Sequence, residues 1–435
     1  MVAQWRDAAA GRVLRGPSRL GRRPVTLVLL YVAEPAARER SVVRRSVKGQ
    51  VRAAAMRSFD RLRWRVLKDF GIDFDAWRVV DHTNKGDAAI REAVRLQLAG
   101  LGLPSSPEFV EIGWGELSER HVARLNQENG LFVIAGSGYL HFGRDNELST
   151  RVERDVGLFA RISCARIAYG IGVNQFRADG TLRAFDTDSV ALRSRDLLAE
   201  FCSMMDTIAV RDETTRRLLA SLRPNALHLT GDPALFLRPA ASASPPAGGE
   251  RPALVGLNFA LHGPNGAATL RERMRWIVPL VRRISDAWRC RLRYFVHSDV
   301  ERVFPMLLSQ HGIEVEVVDA PVQAMLDAYA EVDLHVCQML HSSILAIAAG
   351  IPTVNIGYDA KNLAFFRLMG IPDLCFASKG LDAERVFESA ARLYAERDVF
   401  RRTVGAAQRR LADALGQFHE DILALMAGVP HRAHA

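Results

Sequence analysis

Five short segments of this 435-residue chain gather the residue types that handle anions and protons. The first is Asp81-His82-Thr83-Asn84-Lys85-Gly86-Asp87, which precedes a helix expected from Ala88. Glycine lets the backbone turn tightly there, and Asn84 or Asp87 can cap the helix. A sugar or phosphate site and a plain capped turn both agree with this segment. Gly136-Ser137-Gly138 and Gly170-Ile171-Gly172-Val173-Asn174 resemble phosphate cradles, each too brief alone to specify one. The fourth segment, Val210-Arg211-Asp212-Glu213, sets an arginine at the end of an apolar run. Its guanidinium can pair with phosphate or carboxylate, or close an ion pair with Asp212 or Glu213. The fifth, Gln338-Met339-Leu340-His341-Ser342-Ser343, stands before an apolar helix expected over 344–349 and stopped by Gly350 and Pro352. A helix N-terminus offers free N–H groups to an anion. His341 at its mouth can donate to phosphate or move a proton near neutral pH.

These segments lie between apolar runs that must position them. Strand-like runs at 77–81, 109–112, 131–135, 166–169, 207–210 and 227–230 alternate with helical patterns. A second set follows at 253–259, 292–297, 314–318, 333–337, 353–356 and 374–376. Such alternation predicts parallel sheets covered on both faces. Residues 240–252 (AASASPPAGGERP) are small and proline-rich, a linker between the sets. The expected fold is α/β: two Rossmann-like domains with parallel sheets facing a cleft, over 76–239 and 253–381. Ligands then belong at the carboxyl ends of the strands. Residues 382–435 are expected to be helices and a tail, the helices returning to brace the first domain.

Charge separates an N-terminal arm from the body. Residues 1–68 hold 17 Lys and Arg against 4 Asp and Glu, a net of +13. The remainder has 58 − 17 = 41 basic and 49 − 4 = 45 acidic residues, a net of −4. That distribution argues against a nucleic-acid enzyme, whose working cleft would carry the positive charge. The arm, 1–75, is expected to contain a strand at 25–33 and an amphipathic helix over 37–68, with Val43, Val47, Val51, Ala55, Phe59, Leu62 and Val66 at helical spacing. A basic amphipathic helix is drawn to anionic membrane; a solvated helix packed on the first domain is the alternative. No run approaches the roughly 20 apolar residues of a spanning helix. Five scattered cysteines without a CxxC pair predict neither a zinc site nor a disulfide framework. The expected setting is cytoplasmic, with the arm touching the inner face of the membrane.

In order, DHTNKGDAAI, LFVIAGSGYL, IAYGIGVNQF, IAVRDETT, GDPALF and LHSSILAIAAGIPTVNIGYDAKNLAFF resemble the polysaccharide pyruvyl transferase family, from about residue 78 to 370. The resemblance implies transfer of pyruvate from phosphoenolpyruvate to two hydroxyls of a sugar in a surface or exopolysaccharide glycan, as a cyclic ketal. It implies a glycan or lipid-linked saccharide acceptor, and no metal or nicotinamide cofactor. The implied architecture is similar to that of the two-domain GT-B glycosyltransferases. The family's donor-binding arginine falls on Arg211, and its Tyr-Asp-x-Lys run falls on Tyr358, Asp359 and Lys361. Its Arg-Leu-His triplet falls on Met339, Leu340 and His341, with the histidine kept and the arginine lost.

The expected catalytic residues are His341 and Arg211. The donor is expected against Arg211, Leu340, His341, Ser342, Ser343, Gly136 and Gly138. The acceptor side of the cleft is expected to include His82, Asn84, Asp87, Asn174, Tyr358, Asp359 and Lys361. Two alternatives stand beside this reading: a nucleotide-sugar-dependent glycosyltransferase of the same architecture, and a non-catalytic family member. Met339 sustains the second, because a thioether cannot pair with phosphate. Arg144 and Lys361 are the cations expected to compensate for it.

Overall fold

The computed structural model describes residues 25–33, 35, 84–103, 106–143, 145–175, 181–222, 224–240, 249–261 and 270–427. The helix expected over 37–68, the strand expected at 77–81, His82, Arg144 and most of the linker lie outside these residues. In the first part of the chain the strands are β1 (Leu27–Val32), β2 (Glu108–Gly113), β3 (Leu131–Ala135), β4 (Leu140–His141), β5 (Ala165–Ile171), β6 (Val173–Asn174), β7 (Thr207–Val210) and β8 (Leu227–Leu229). Six of them form one sheet in the order β2-β1-β3-β5-β7-β8, and β4 pairs with β6 beside it. The second part supplies β9 (Leu254–Asn258), β10 (Arg291–Phe295), β11 (Glu316–Val318), β12 (Leu334–Cys337), β13 (Thr353–Gly357) and β14 (Cys375–Ala377). They form a second sheet in the order β11-β10-β9-β12-β13-β14. Every pairing in both sheets is parallel, as the alternation of elements predicts.

One grouping changes. The strand read from the sequence as part of the basic arm pairs with both β2 and β3 inside the first sheet. All six of its residues, LVLLYV, are buried. A continuous apolar run has to be covered on both faces, and a sheet interior flanked by helices provides that cover.

The two sheets are coupled by packing as well as by a linker. The helix Lys85–Gly100, the short 3-10 turn Pro233–Phe236 and the helix Leu340–Ala348 meet between them. One apolar cluster runs from Ala89 and Val133 through Leu235 and Ile344 to Val255. Each fully buried aliphatic side chain in it contributes roughly 1.5–3 kcal/mol over its exposed state. The last helix, Arg397–Ala427, buries Val404, Ala407, Leu411, Leu415, Phe418 and Ile422 at helical spacing. It crosses back to the first sheet as expected, where His228 on β8 and Thr207 on β7 both hydrogen-bond Asp421, at 2.7 and 3.3 Å. Among the described residues no helix is long and apolar enough to cross a membrane.

Candidate functional site

The site forms where the carboxyl ends of the two sheets face one another. On the first-domain side, Asn84 caps the helix Lys85–Gly100, its Oδ1 accepting from Gly86 N at 3.0 Å. The helix therefore starts at Lys85, earlier than the sequence suggests, because the cap is Asn84. Both oxygens of Asp87 are engaged: Oδ1 accepts from Ser137 Oγ at 2.7 Å and Oδ2 from Asn84 Nδ2 at 3.0 Å. Asp87 thus ties the first helical turn to the turn after β3. Lys85 N donates to the carbonyl of His297 at 2.9 Å, which fixes this helix end against the second domain.

Glycine matters most at Gly86. A Cβ there would lie 2.0 Å from Nδ1 of His341, so only a hydrogen admits the imidazole. Gly136 and Gly138 do not form the expected open cradle. Gly136 has φ +63° and approaches the Ile90 side chain, where a Cβ would sit 2.3 Å from Cγ2. Gly138 packs on Asn174. Both glycines serve close packing, because helix Lys85–Gly100 and strand β6 press directly onto the turn.

Arg211 follows β7 and is only 6% exposed. Gly172 forms its floor, since a Cβ at that position would fall 2.2 Å from Nε. The guanidinium lies 3.6 Å from Asp212 Oδ2 and Nη2 donates to the carbonyl of Val173 at 3.5 Å. Asp212 also caps the next helix, Oδ1 accepting from both Thr215 N and Oγ1 at 2.8 Å. Glu213 is engaged by Arg216 through two hydrogen bonds. The ion pair foreseen for Arg211 exists, but it is long and involves Asp212 alone of the two carboxylates.

On the second-domain side, the helix after β12 begins at Leu340, with Met339 as N-cap, so His341, Ser342 and Ser343 stand in its first turn. Ser342 and Ser343 are fully buried and turn away from the cleft. Ser342 Oγ meets Tyr329 and His335, each at 2.7 Å, while Ser343 Oγ accepts from Asn355 Nδ2 at 2.9 Å. Leu340 packs into the shared apolar core. These three side chains, expected at the donor, instead anchor the loop, because helical geometry points them at the sheet beneath. Met339 is 4% exposed, donates its N–H to Asn258 Oδ1 at 3.0 Å, and takes the Tyr358 hydroxyl on its sulfur at 3.7 Å.

His341 remains facing the first domain. Its Nε2 lies 3.6 Å from Asp232 Oδ2, and among the described residues neither buried atom has a hydrogen-bond partner. Asp232 stands just past β8 and caps the turn Pro233–Phe236 through Oδ1. It belongs to GDPALF but was not singled out from sequence, although a carboxylate just past a strand's carboxyl end is a readable signal. Behind His341, His297 is held neutral: burial, then the nearby charges of His341, His335 and Lys85, push its pKa well down. Its Nε2 meets Tyr329 OH at 2.8 Å, which continues to Ser342.

Lys361 completes the ring. Its side chain keeps 21% exposure and Nζ lies 3.9 Å from Asp359 Oδ2. Burial lowers its pKa; Arg211 lowers it further, against Asp359 and Asp87, which raise it. Tyr358 is pushed up, chiefly by burial and then by Asp359, with Arg211 and Arg273 opposing. Arg273 donates to the Ala260 carbonyl, and burial lowers its pKa. The structure therefore joins Arg211, Lys361, Tyr358 and Asp87 in one electrostatic neighbourhood, with His341 against Gly86 at the same helix end. Asn174 sits on the periphery, its Oδ1 buried without a hydrogen bond among the described residues.

A sequence model of the polysaccharide pyruvyl transferase family matches residues 84–360, more than half of the chain. The chain belongs to this family, and it is a transferase. No curated protein matches it. Among solved structures it is similar to a Listeria monocytogenes protein provisionally assigned as a UDP-N-acetylglucosamine 2-epimerase, at 12% identity over 92% of this chain and 98% of that one, TM-score 0.46. An α,α-trehalose 6-phosphate synthase from Burkholderia multivorans shares 15% identity over 80% of this chain and 81% of its own, TM-score 0.42. A Neisseria meningitidis UDP-GlcNAc 2-epimerase bound to UDP-GlcNAc shares 12% identity over 75% and 89%, TM-score 0.41. At these values the likeness assigns no substrate.

Proposed function

We propose that this protein transfers the pyruvyl group of phosphoenolpyruvate to two hydroxyls of a sugar in a surface or exopolysaccharide glycan, forming a cyclic ketal. The observation that carries the reading is the pairing of like charges across the cleft. Arg211 from the first domain stands against Asp212, and Lys361 from the second lines the same cavity as Asp212. Their carboxylate neighbours, Asp212 at 3.6 Å and Asp359 at 3.9 Å, stand beyond hydrogen-bond distance, which leaves N–H donors for an anionic ligand. Phosphoenolpyruvate carries close to three negative charges near pH 7 and offers both a phosphate and a carboxylate. Arg273, which donates to the carbonyl of Ala260 in the cluster that holds Met339, would stand in for the arginine absent there.

In this mechanism Arg211 and Lys361 hold the donor, and His341 moves a proton. One proton adds to the methylene carbon, and an acceptor oxygen bonds to the central carbon. Phosphate leaves with the electron pair of its C–O bond, and the second hydroxyl closes the ketal. Of the two hydroxyl protons, one balances the new methyl group and the other leaves with phosphate. His341 is suited to this traffic because an imidazole nitrogen can both donate and accept a proton. No cofactor is invoked. The basic segment 1–68, net +13, would hold the enzyme at anionic membrane, where lipid-linked saccharides reside. Liposome sedimentation of the full chain, abolished by high salt, is the expected result, and indifference to anionic lipid would remove that part.

The central test is an assay of the full chain with phosphoenolpyruvate and diol-bearing saccharides, following phosphate release and product mass. Phosphate release coupled to ketal formation is expected. Turnover of a nucleotide sugar, with phosphoenolpyruvate inert, would replace this reading with the glycosyltransferase one.

A further inference from the structure

We infer that the cavity beside Asp359 seats the acceptor sugar and selects a saccharide bearing an anionic substituent, a phosphate ester or a carboxylate. The inference rests on the reading above, in which Arg211 and Lys361 hold the donor. The cavity measures about 330 Å3 and lies between the domains, lined by the segment from Thr181 to Phe185, by Asp212 and Glu213, and by Asp359 to Leu368 in part. Sites for small ligands run from roughly 300 to 1,000 Å3, so the space suits one or two sugar rings. Lys361 lines it too, which places any occupant next to the proposed donor.

Two independent features define what it would accept. The first is Asp359, which is 7% exposed. Its Oδ1 accepts from Lys361 N as a helix cap, while Oδ2 has no hydrogen-bond partner among the described residues. Its ion-pair partner, Lys361 Nζ, stands 3.9 Å away, beyond hydrogen-bond distance, so this buried oxygen can still take a donor, and a sugar hydroxyl is one. The second is the rim. Arg183, Arg217 and Arg367 line the cavity from three separate elements of both domains, and all three are exposed. Among the described residues none of them closes an ion pair with a carboxylate. Of the nearby acids, Asp212 is engaged by Thr215 and Arg211, and Glu213 is hydrogen-bonded by Arg216, with Arg217 acting on it through space without an ion-pair contact. Guanidinium groups so placed recognise phosphate or carboxylate oxygens in pairs, which a neutral sugar cannot satisfy.

The test is calorimetric titration of the full chain, with phosphoenolpyruvate saturating so that the donor site is filled. The probes are glucose, mannose and galactose, each compared with its 1-phosphate and its uronate. In at least one series the anionic member should bind about five- to thirtyfold more tightly than the neutral one, and the preference should shrink with added salt. The 1-phosphate and uronate arms tell the two anion sources apart. Arg183→Ala/Arg217→Ala/Arg367→Ala should erase the preference while phosphoenolpyruvate still binds. Asp359→Asn, which preserves the helix cap, should weaken neutral and anionic members alike. Equal affinities within every series, no binding of any probe, or loss of phosphoenolpyruvate binding in the triple variant would each overturn the inference. Failure of the wild-type chain to bind phosphoenolpyruvate would instead sink the reading beneath it, and the sugar comparison could still be made.

Discussion

After β7 the chain lifts a charged side chain into the cleft over a glycine floor; after β12 it turns most of its polar side chains away from the cleft. Arg211 projects because Gly172 leaves room beneath its Nε. At the other loop, Ser342 and Ser343 hydrogen-bond inward to Tyr329, His335 and Asn355, while His341 faces Asp232 of the opposite domain. The difference separates binding from positioning. The first loop contributes a fixed cation, and the second contributes one imidazole whose place depends on a network behind it and a glycine in front of it.

The largest effect is expected at Arg211. Arg211→Ala should lower kcat/KM for phosphoenolpyruvate by roughly 100- to 1,000-fold, about 3–4 kcal/mol, with the circular dichroism spectrum unchanged. Activity within threefold of wild type would show that the β7 loop does not hold the donor. Next comes Gly86→Ala, which removes no polar group yet occupies the space of the His341 ring. It should cost about 10- to 100-fold in kcat, close to the loss for His341→Ala, although alanine at a helix start is otherwise neutral or stabilising by up to about 1 kcal/mol. Full activity in Gly86→Ala would dissolve the distinction between the two loops.

A third test sharpens the electrostatic half of the comparison. Lys361 holds an anion only while protonated, and its pKa lies below the usual 10.5 because of burial and Arg211. The KM for phosphoenolpyruvate should therefore rise with pH earlier than an ordinary lysine would allow. Lys361→Arg should remove that alkaline limb, since arginine stays charged where lysine loses its proton. Persistence of the same limb in Lys361→Arg would assign it to another group. The smallest effect is expected for Met339→Arg. Its side chain is enclosed with Ala260 and Tyr358, and Arg273 donates to the Ala260 carbonyl beside it. Donor affinity should change by no more than about threefold, and a tenfold gain would mean that this corner lacks a cation.

The sequence by itself determined most of the strands and where they end. Runs such as LFVIA at 131–135 and TIAV at 207–210 are strands at the residues where their apolar composition places them. Arg211 and Asp212 follow from that, because a strand's end in a parallel sheet is a ligand-facing position. Lys361 comes instead from the resemblance to the family, through the Tyr-Asp-x-Lys run after β13. Tertiary structure alone decided which way the remaining side chains face. Leu27–Val32 could be read as an apolar strand, but not as one inserted between β2 and β3. His341 could be read as facing a ligand, but not as seated on Gly86 beside Asp232, two residues more than a hundred positions earlier in the chain. Ser342 and Ser343 looked like anion donors until the first helical turn directed them inward. Periodicity is a local property and reports which residues share a face. What that face meets depends on contacts between distant segments, and here those contacts run through the packed boundary between the two domains.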